Sequence, residues 1–141
     1  MTPNRGEDKT VELVKFAQRY AKAWCSQNPD SVAEFFAKNG SLSVNEGLPA
    51  VGRAAIAKEA EAFMTTFPDM IVTFDKLEPR QDAVAFHWTL IGTTTGPGGA
   101  ENKVRVSGYE LWKIDNDGLI AESKGNFDAA EYERQLKKSD T

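Results

Sequence analysis

Two ionisable side chains lie inside segments that have the pattern of long β-strands. His87, the only histidine of the chain, lies in the middle of Ala83–Thr94, and Glu110 lies in Lys103–Ile114. Histidine titrates near neutral pH and is the commonest general base. A carboxyl group buried away from cations keeps its proton to a higher pH than usual. The two groups could exchange protons with a small organic molecule, provided that both face one cavity.

The alternation of side chains predicts a buried position for Glu110. Every second residue of a strand shares a face, and Glu110 shares its face with Val106, Gly108 and Trp112, which are small or apolar. A buried carboxyl group can act as a hydrogen-bond donor or general acid near neutrality. The alternative is a solvent-facing Glu110, or one that is paired with a lysine or arginine across the sheet.

Alternation by itself places His87 on the smaller and less apolar face of its strand. His87 shares a face with Ala85, Thr89 and Ile91. The opposite face is larger and more apolar, and it consists of Val84, Phe86, Trp88 and Leu90. On this pattern alone, the apolar face is the core and His87 faces solvent.

Composition excludes several classes of function. The chain has 141 residues, a net charge of −4 and one cysteine, Cys25. An acidic chain lacks the basic face that nucleic acids require, and it is poorly suited to an anionic membrane surface. With one cysteine and one histidine, we expect no internal disulfide and no metal site. The sequence has no phosphate loop or nucleotide fingerprint, and we expect no cofactor. Without an apolar leader or a membrane-spanning run, the sequence predicts a cytoplasmic protein.

Helical patterns dominate the first half of the chain. Residues 1–8 are predicted to be a disordered tail, and residues 9–138 a single domain. A first helix extends from about Thr10 to Gln27, with Tyr20 and Trp24 on its apolar face. A second begins at Asn28-Pro29, which suit the cap and the first helical position. It is predicted to stop at Asn39-Gly40.

The remaining elements are a third helix, five strands and a last helical turn. A short strand, Ser41–Val44, precedes the third helix, Arg53–Thr66, whose inner side includes Phe63. Met70–Leu77, Ala83–Thr94, Lys103–Ile114 and Leu119–Phe127 follow as strands, and Ala129–Lys137 as a helix. The loop 95–102 is predicted to be a mobile hairpin loop or a lid. Helices followed by an antiparallel meander indicate an α+β fold, and strands of this length indicate a curled sheet that can cup the helices around a cavity.

This order of elements resembles the nuclear transport factor 2-like superfamily, in particular its SnoaL-like polyketide cyclase branch, which is close to the ketosteroid isomerases. The resemblance extends from about Val11 to Leu136. It is carried by Gln18-Arg19-Tyr20 with Trp24, Phe67-Pro68-Asp69-Met70, the strand Ala83–Thr93, and Asp117-Gly118-Leu119-Ile120-Ala121-Glu122. It implies a cone-shaped curved antiparallel sheet that cups three N-terminal helices, with a pocket at one end.

The resemblance also implies roles for individual residues. It matches Tyr20 to a tyrosine that binds a substrate oxygen, and Glu110 to a protonated acid on a long strand. The catalytic base position of the isomerases falls near Asn45, which cannot abstract a proton. Neighbouring Glu46 would face the other way along a strand.

The resemblance reverses the orientation that alternation gives to His87. It turns Ala85, His87 and Thr89 toward the pocket and makes Phe86, Trp88 and Leu90 an outer face. That face is too apolar to leave exposed, so it predicts a homodimer formed through the sheet.

Further residues are candidates for the pocket lining. Trp24, Phe63, Thr89 and Phe127 are assigned to it, although aromatic residues at helical spacing are more often core. Asp128 has two interpretations: SnoaL-like cyclases carry an essential pocket aspartate, but Asp128 also suits the N-cap of the last helix, with Glu131 three residues later.

Two functions are compatible with these features. The first is a cofactor-independent isomerase, cyclase or lyase that acts on a small apolar carbonyl compound, with His87 as base, Glu110 as acid and Tyr20 as oxyanion partner. The second is a non-catalytic module that binds an apolar ligand or serves dimerisation, which the missing base at Asn45 favours.

Overall fold

A single mixed sheet and four helices make up the described part of the chain. The computed structural model describes residues 5–95 and 101–137. Within these ranges the elements are α1 (Arg5–Trp24), α2 (Pro29–Ala33), β1 (Phe36–Val44), β2 (Ala50–Val51), α3 (Arg53–Thr66), β3 (Ile71–Pro79), β4 (Val84–Thr95), β5 (Glu101–Ile114), β6 (Ile120–Phe127) and α4 (Ala129–Leu136). The sheet order is β2-β1-β6-β5-β4-β3, with β1 and β6 parallel and the other neighbours antiparallel. The predicted α+β class is confirmed, although the sheet is mixed and not wholly antiparallel.

Most predicted elements lie within two residues of their observed bounds. α3 has the predicted range, and Asn28 caps α2 by accepting a hydrogen bond from the Asp30 amide at 3.1 Å. Helix α1 begins at Arg5, so residues 5–8 are helical and not a disordered tail. The rest of the predicted tail, residues 1–4, and residues 96–100 of the predicted lid loop lie outside the described residues.

The region around Gly40 differs from the prediction, because Asn39-Gly40 lies inside β1 and does not end a helix. The pairing of β1 with β6 shifts between Phe36, which is opposite Ile120, and Ser41, which is opposite Glu122. A Cβ at Gly40 would lie 2.8 Å from the Ile120 carbonyl oxygen. Glycine thus permits a close approach of two strands at a bulge, a use that local sequence does not distinguish from a helix stop.

One face of the sheet, called the inner face below, packs against the helices. Phe86 is fully buried, stacks on Trp112 with ring centroids 4.8 Å apart, and meets Tyr20 of α1 edge to face. Leu90 is buried as well. The prediction that this face of β4 is an outer subunit contact is therefore wrong, because these side chains are the larger apolar set and fill the core of the monomer.

Side chains form hydrogen bonds with exposed strand backbone at two places. Asp69, between α3 and β3, accepts a hydrogen bond from the Thr93 amide of β4 at 2.7 Å. The Gln135 amide of α4 binds both the N–H and the C=O of Arg105 at 2.7 and 3.1 Å, in the part of β5 beyond the end of β6. These contacts satisfy backbone groups that a strand would otherwise pair, and they hold α4 against the sheet.

No helix in ranges 5–95 and 101–137 is both long and apolar enough to cross a membrane.

We expect Gly92→Ala to destabilise the fold. A Cβ at Gly92 would lie 2.8–2.9 Å from Cδ1, Cβ and Cγ of Phe67, a fully buried ring. Overpacking of this kind costs about 1–3 kcal/mol, which urea unfolding would measure. Thr94→Ala, two residues along β4, is the control and should cost less than about 1 kcal/mol. Equal stability of Gly92→Ala and the parent would contradict this account of the packing.

Candidate functional site

An apolar cavity lies between the inner face of the sheet and the helices. The volume in which the centre of a water molecule can move is ≈ 60 Å³. Since one water needs about 10–15 Å³ by this measure, the cavity has room for roughly four to six waters, or one small organic molecule. Its lining consists of Trp24, Leu42, Val44, Phe63, Val72, Phe86, Trp88, Leu90, Val106, Glu110, Gly125, Phe127 and Tyr132.

Glu110 contributes the one carboxyl group of this lining. It is 7% exposed, and its Oε1 accepts three hydrogen bonds: from Tyr20 Oη at 2.8 Å, Trp112 Nε1 at 2.9 Å and Ser123 Oγ at 2.7 Å. Its Oε2 forms no hydrogen bond with any residue that the structure describes. Lysine, arginine and histidine are absent from the lining given above. One carboxyl oxygen is thus held by the protein, and the other is left for a molecule in the cavity.

Three elements bring these donors together. Glu110 and Trp112 are two residues apart in β5 and share its inner face, and Ser123 lies opposite Trp112 in β6. Tyr20 comes from α1, where its ring packs edge to face against Phe86 and Trp112. The donors are therefore positioned by strand register and by aromatic packing, and their orientation does not depend on a loop.

Burial dominates the proton affinity of both members of the Tyr20–Glu110 pair. It raises the pKa of Glu110, while the hydrogen bonds from Trp112, Ser123 and Tyr20 oppose that rise because they stabilise the anion. Burial also raises the pKa of Tyr20 well above its ordinary value, and the neighbouring Glu110 charge adds to the rise. Tyr20 thus remains a hydrogen-bond donor to Glu110.

Two indole N–H groups on the cavity wall are buried without a hydrogen bond in the described structure. They belong to Trp24 and Trp88. The Trp24 indole is near enough to the Tyr20 hydroxyl to oppose the effect of burial on the pKa of Tyr20. Buried donors of this kind are uncommon and costly, so both are available to an acceptor atom that enters the cavity.

The structure places three predicted lining residues, Trp24, Phe63 and Phe127, on the cavity wall together with Glu110. Tyr20 is fully buried behind Glu110 and is not part of the wall. Its hydroxyl donates to the carboxyl group of Glu110, and its direct contact with a substrate oxygen stays a prediction.

The predicted inward orientation of His87 and Thr89 is wrong. His87 Nε2 lies 3.0 Å from Glu78 Oε1 on the opposite face of the sheet. Thr89 Oγ1 donates to Asp75 Oδ2 at 2.7 Å on that face and also contacts Ser107. Alternation requires this arrangement once the larger apolar side chains of β4 face the helices.

Asn45 and Asp128 have local structural contacts and lie outside the cavity wall. Asn45 has a left-handed backbone, with φ 49°, and its Oδ1 accepts from the Phe127 amide at 2.9 Å. Asp128 caps α4, because its Oδ1 accepts from the Glu131 amide at 3.0 Å. Of the two interpretations of Asp128, the structure shows the cap. Glu46 lines a groove on the other face of the sheet.

Sequence reasoning missed the partners of Glu110 and two lining residues. Trp112 and Ser123 share the inward parity of their strands, but parity does not show that both donate to one carboxyl oxygen. Trp88 was assigned to the wrong face, and Tyr132 of α4 was not singled out, although it is the one large aromatic residue of that helix.

A metal centre has no support in the described ranges, where histidine, cysteine, aspartate and glutamate form no group of three suited to bind an ion.

Comparison with known proteins agrees on family and fold. A family model described as SnoaL-like polyketide cyclase matches residues 14–136. No curated protein matches the chain.

Solved structures show the same fold at low sequence identity. A protein of ketosteroid isomerase-like fold from Catenulispora acidiphila, crystallised with trimethylamine, is 20% identical, with a TM-score of 0.74 over 85% of this chain and 90% of the other. A phenazine biosynthesis-related protein from Pseudomonas aeruginosa is 17% identical, with a TM-score of 0.71 over 95% and 93%. TsrD from Streptomyces laurentii is 16% identical, with a TM-score of 0.76 over 98% and 100%.

We expect Glu110→Gln to flatten the pH dependence of folding stability. Because the folded state raises the pKa of Glu110, its contribution is fully present below the unfolded pKa of about 4.3 and is lost as the pH rises through the folded pKa. Glutamine keeps an acceptor oxygen for the three donors but cannot ionise. Urea unfolding between about pH 4 and pH 8 should show a smaller loss of stability with rising pH in the variant.

Glu78→Gln is the control for this measurement. The hydrogen bond with His87, followed by the Arg80 charge, lowers the pKa of Glu78, so its contribution is present at higher pH and is lost on acidification. The two variants should change the pH profile in opposite directions. Identical profiles for Glu110→Gln and the parent would show that burial does not perturb Glu110.

Proposed function

The chain belongs to the SnoaL-like polyketide cyclase family, and on that premise we propose that it binds a small, largely apolar carbonyl compound in its cavity and that Glu110 transfers a proton to or from it without a cofactor. The observation that carries the proposal is the state of the Glu110 carboxyl group: Oε1 is held by three donors, and Oε2 has no partner among the described residues.

Proton transfer would use the free oxygen, Oε2. It removes a proton from the carbon next to the substrate carbonyl, so that a C–H bond breaks, an O–H bond forms and the electron pair becomes an enolate. Returning the proton to another carbon completes an isomerisation. The three donors on Oε1 fix the carboxylate, and burial brings its proton affinity closer to that needed at neutral pH. Both effects favour general acid–base chemistry at one carboxyl group.

The enolate oxygen needs hydrogen-bond donors in the same cavity. The buried N–H groups of Trp24 and Trp88 are unpartnered in the described structure and belong to lining residues. Donors aimed at a developing negative charge are worth more in a dry site than in water. In this proposal the indoles take the oxyanion role that Tyr20 cannot fill while it donates to Glu110.

Proton transfer at Glu110 can be tested before the natural substrate is known. Small ketones such as butanone and cyclohexanone, incubated with the protein in deuterium oxide, should exchange their acidic protons faster than in buffer, as followed by NMR. Glu110→Gln should lower the enzymatic rate by roughly 10²- to 10⁴-fold, the usual contribution of a general base, while circular dichroism shows a folded protein.

His87→Ala is the matched control, because His87 lies on the opposite face of the sheet. It should exchange protons at the rate of the parent. Loss of exchange in His87→Ala, or full exchange in Glu110→Gln, would contradict the assignment of the proton transfer to Glu110. A parent that binds these ketones without exchanging their protons would contradict catalysis itself.

A second candidate function is non-catalytic binding of a small organic amine. It is favoured by a buried carboxyl group without a cationic partner in the lining, beside the aromatic rings of Trp24, Phe63 and Trp88. Aromatic rings attract organic cations, and a buried carboxylate is stabilised by an opposite charge. The trimethylamine complex of the Catenulispora acidiphila protein supports this candidate through the shared fold.

Two ligands of similar shape distinguish amine binding from carbonyl binding. Tetramethylammonium carries a charge and tert-butanol does not. If the site is built for amines, calorimetry should show at least roughly tenfold tighter binding of the cation, and Glu110→Gln should remove most of that preference. Equal affinity, or a preference for the alcohol, would rule out the second candidate.

A further inference from the structure

Gly125 lies directly beside the carboxyl group of the cavity. It is the cross-strand partner of Glu110 in β6, and both residues belong to the cavity wall. Its neighbours on the inner face of β6 are Ser123, which donates to Glu110, and Phe127, which lines the cavity. The absence of a side chain at Gly125 leaves open the part of the cavity nearest to Glu110.

Backbone conformation does not require glycine at this position, and packing hinders a methyl group there at one contact only. Gly125 is not among the described residues with a positive φ. A Cβ there would lie 3.8 Å from Glu110 Cγ, an ordinary contact, and 3.3 Å from the Ser43 carbonyl oxygen, which would have to move by a few tenths of an ångström. Gly108 on β5 differs, since a Cβ there would collide with the Asn126 carbonyl oxygen and lie 2.8 Å from Trp88 Cζ2.

We propose that Gly125 determines substrate specificity by reserving space beside the Glu110 carboxyl group for a branched carbon of the ligand. Glycine inside a strand often marks a place where another group approaches the backbone closely. The ligand class is then a small carbonyl compound that is branched next to its functional group. This inference rests on the proposed function, because it uses Glu110 as the group that meets the ligand.

Gly125→Ala tests the inference with two ketones that differ in branching. Butanone is unbranched next to its carbonyl group, and tert-butyl methyl ketone is fully branched. Binding is measured by titration, following the tryptophan indole N–H signals by NMR. The parent should bind both ketones. The variant should keep its affinity for butanone within roughly threefold and lose at least about tenfold for the branched ketone, as expected for added atoms in an apolar pocket.

Asn126→Ala is the control, because Asn126 is the next residue of β6 and faces the other side of the sheet. It should bind both ketones as the parent does. Unchanged binding of the branched ketone to Gly125→Ala would overturn the inference, and so would an equal loss of both ketones. An unfolded Gly125→Ala protein would overturn it too, because the fold would then require the glycine.

The outcome also separates this inference from the proposed function. A parent that binds both ketones but does not exchange their protons contradicts catalysis at Glu110 and leaves the role of Gly125 standing. A parent that exchanges protons, together with a Gly125→Ala variant that binds both ketones normally, supports Glu110 and contradicts the role of Gly125. A parent that binds neither ketone contradicts both.

Discussion

The buried carboxyl group of Glu110 is the constraint on which the arrangement of this site depends. A carboxyl group in an apolar interior is costly unless its oxygens have partners, and here α1, β5 and β6 each supply a donor to Oε1. The Tyr20 contact joins residues that are 90 positions apart in the chain. The same hydrogen bonds therefore join the first helix to the centre of the sheet, while Oε2 has no partner among residues 5–95 and 101–137.

The face of β4 that points toward the helices determines which side chains line the cavity. With Phe86, Trp88 and Leu90 facing the helices, the cavity has aromatic walls and a single carboxyl group. His87 then contacts Glu78 on the opposite face of the sheet. The proposed chemistry consequently depends on one carboxyl group with two indole N–H groups in the same lining. The structure does not bring Glu110 and His87 together, because they lie on opposite faces of the sheet.

Close approaches at glycine residues bring elements of the fold together around the sheet. Gly92 leaves room for the Phe67 ring to pack against β4, and Gly40 allows β1 to approach β6 closely. Helix α4 completes the wall with Tyr132, whose ring lies 5.3 Å from that of Phe127, while Gln135 fastens the helix to β5. Backbone hydrogen bonds made by side chains thus position an aromatic wall residue on a helix that has no fully buried side chain of its own.

Much of the fold follows from local sequence. Helical periodicity, the Asn28 cap and the alternation of the long strands were enough to define most elements and the α+β class, because hydrophobic period and capping chemistry are local properties. Alternation also favoured the inner side of its strand for Glu110. Local sequence gave a wrong prediction at Asn39-Gly40, because the same residues suit a strand bulge and the end of a helix. The family resemblance gave a wrong orientation for His87, because it turned the more apolar face of β4 outward.

Only the tertiary structure decided which groups meet. Three donors converge on one oxygen of Glu110 because of strand register and because α1 packs its aromatic face onto β5, and neither can be derived from the spacing of residues along the chain. The sequence by itself determined that the chain has a single histidine, and it favoured an inward Glu110 while leaving a solvent-facing position open. The packing of the larger apolar face against the helices decided that this histidine lies outside, since burying the greater apolar area outweighs what a lone ionisable side chain could contribute in its place.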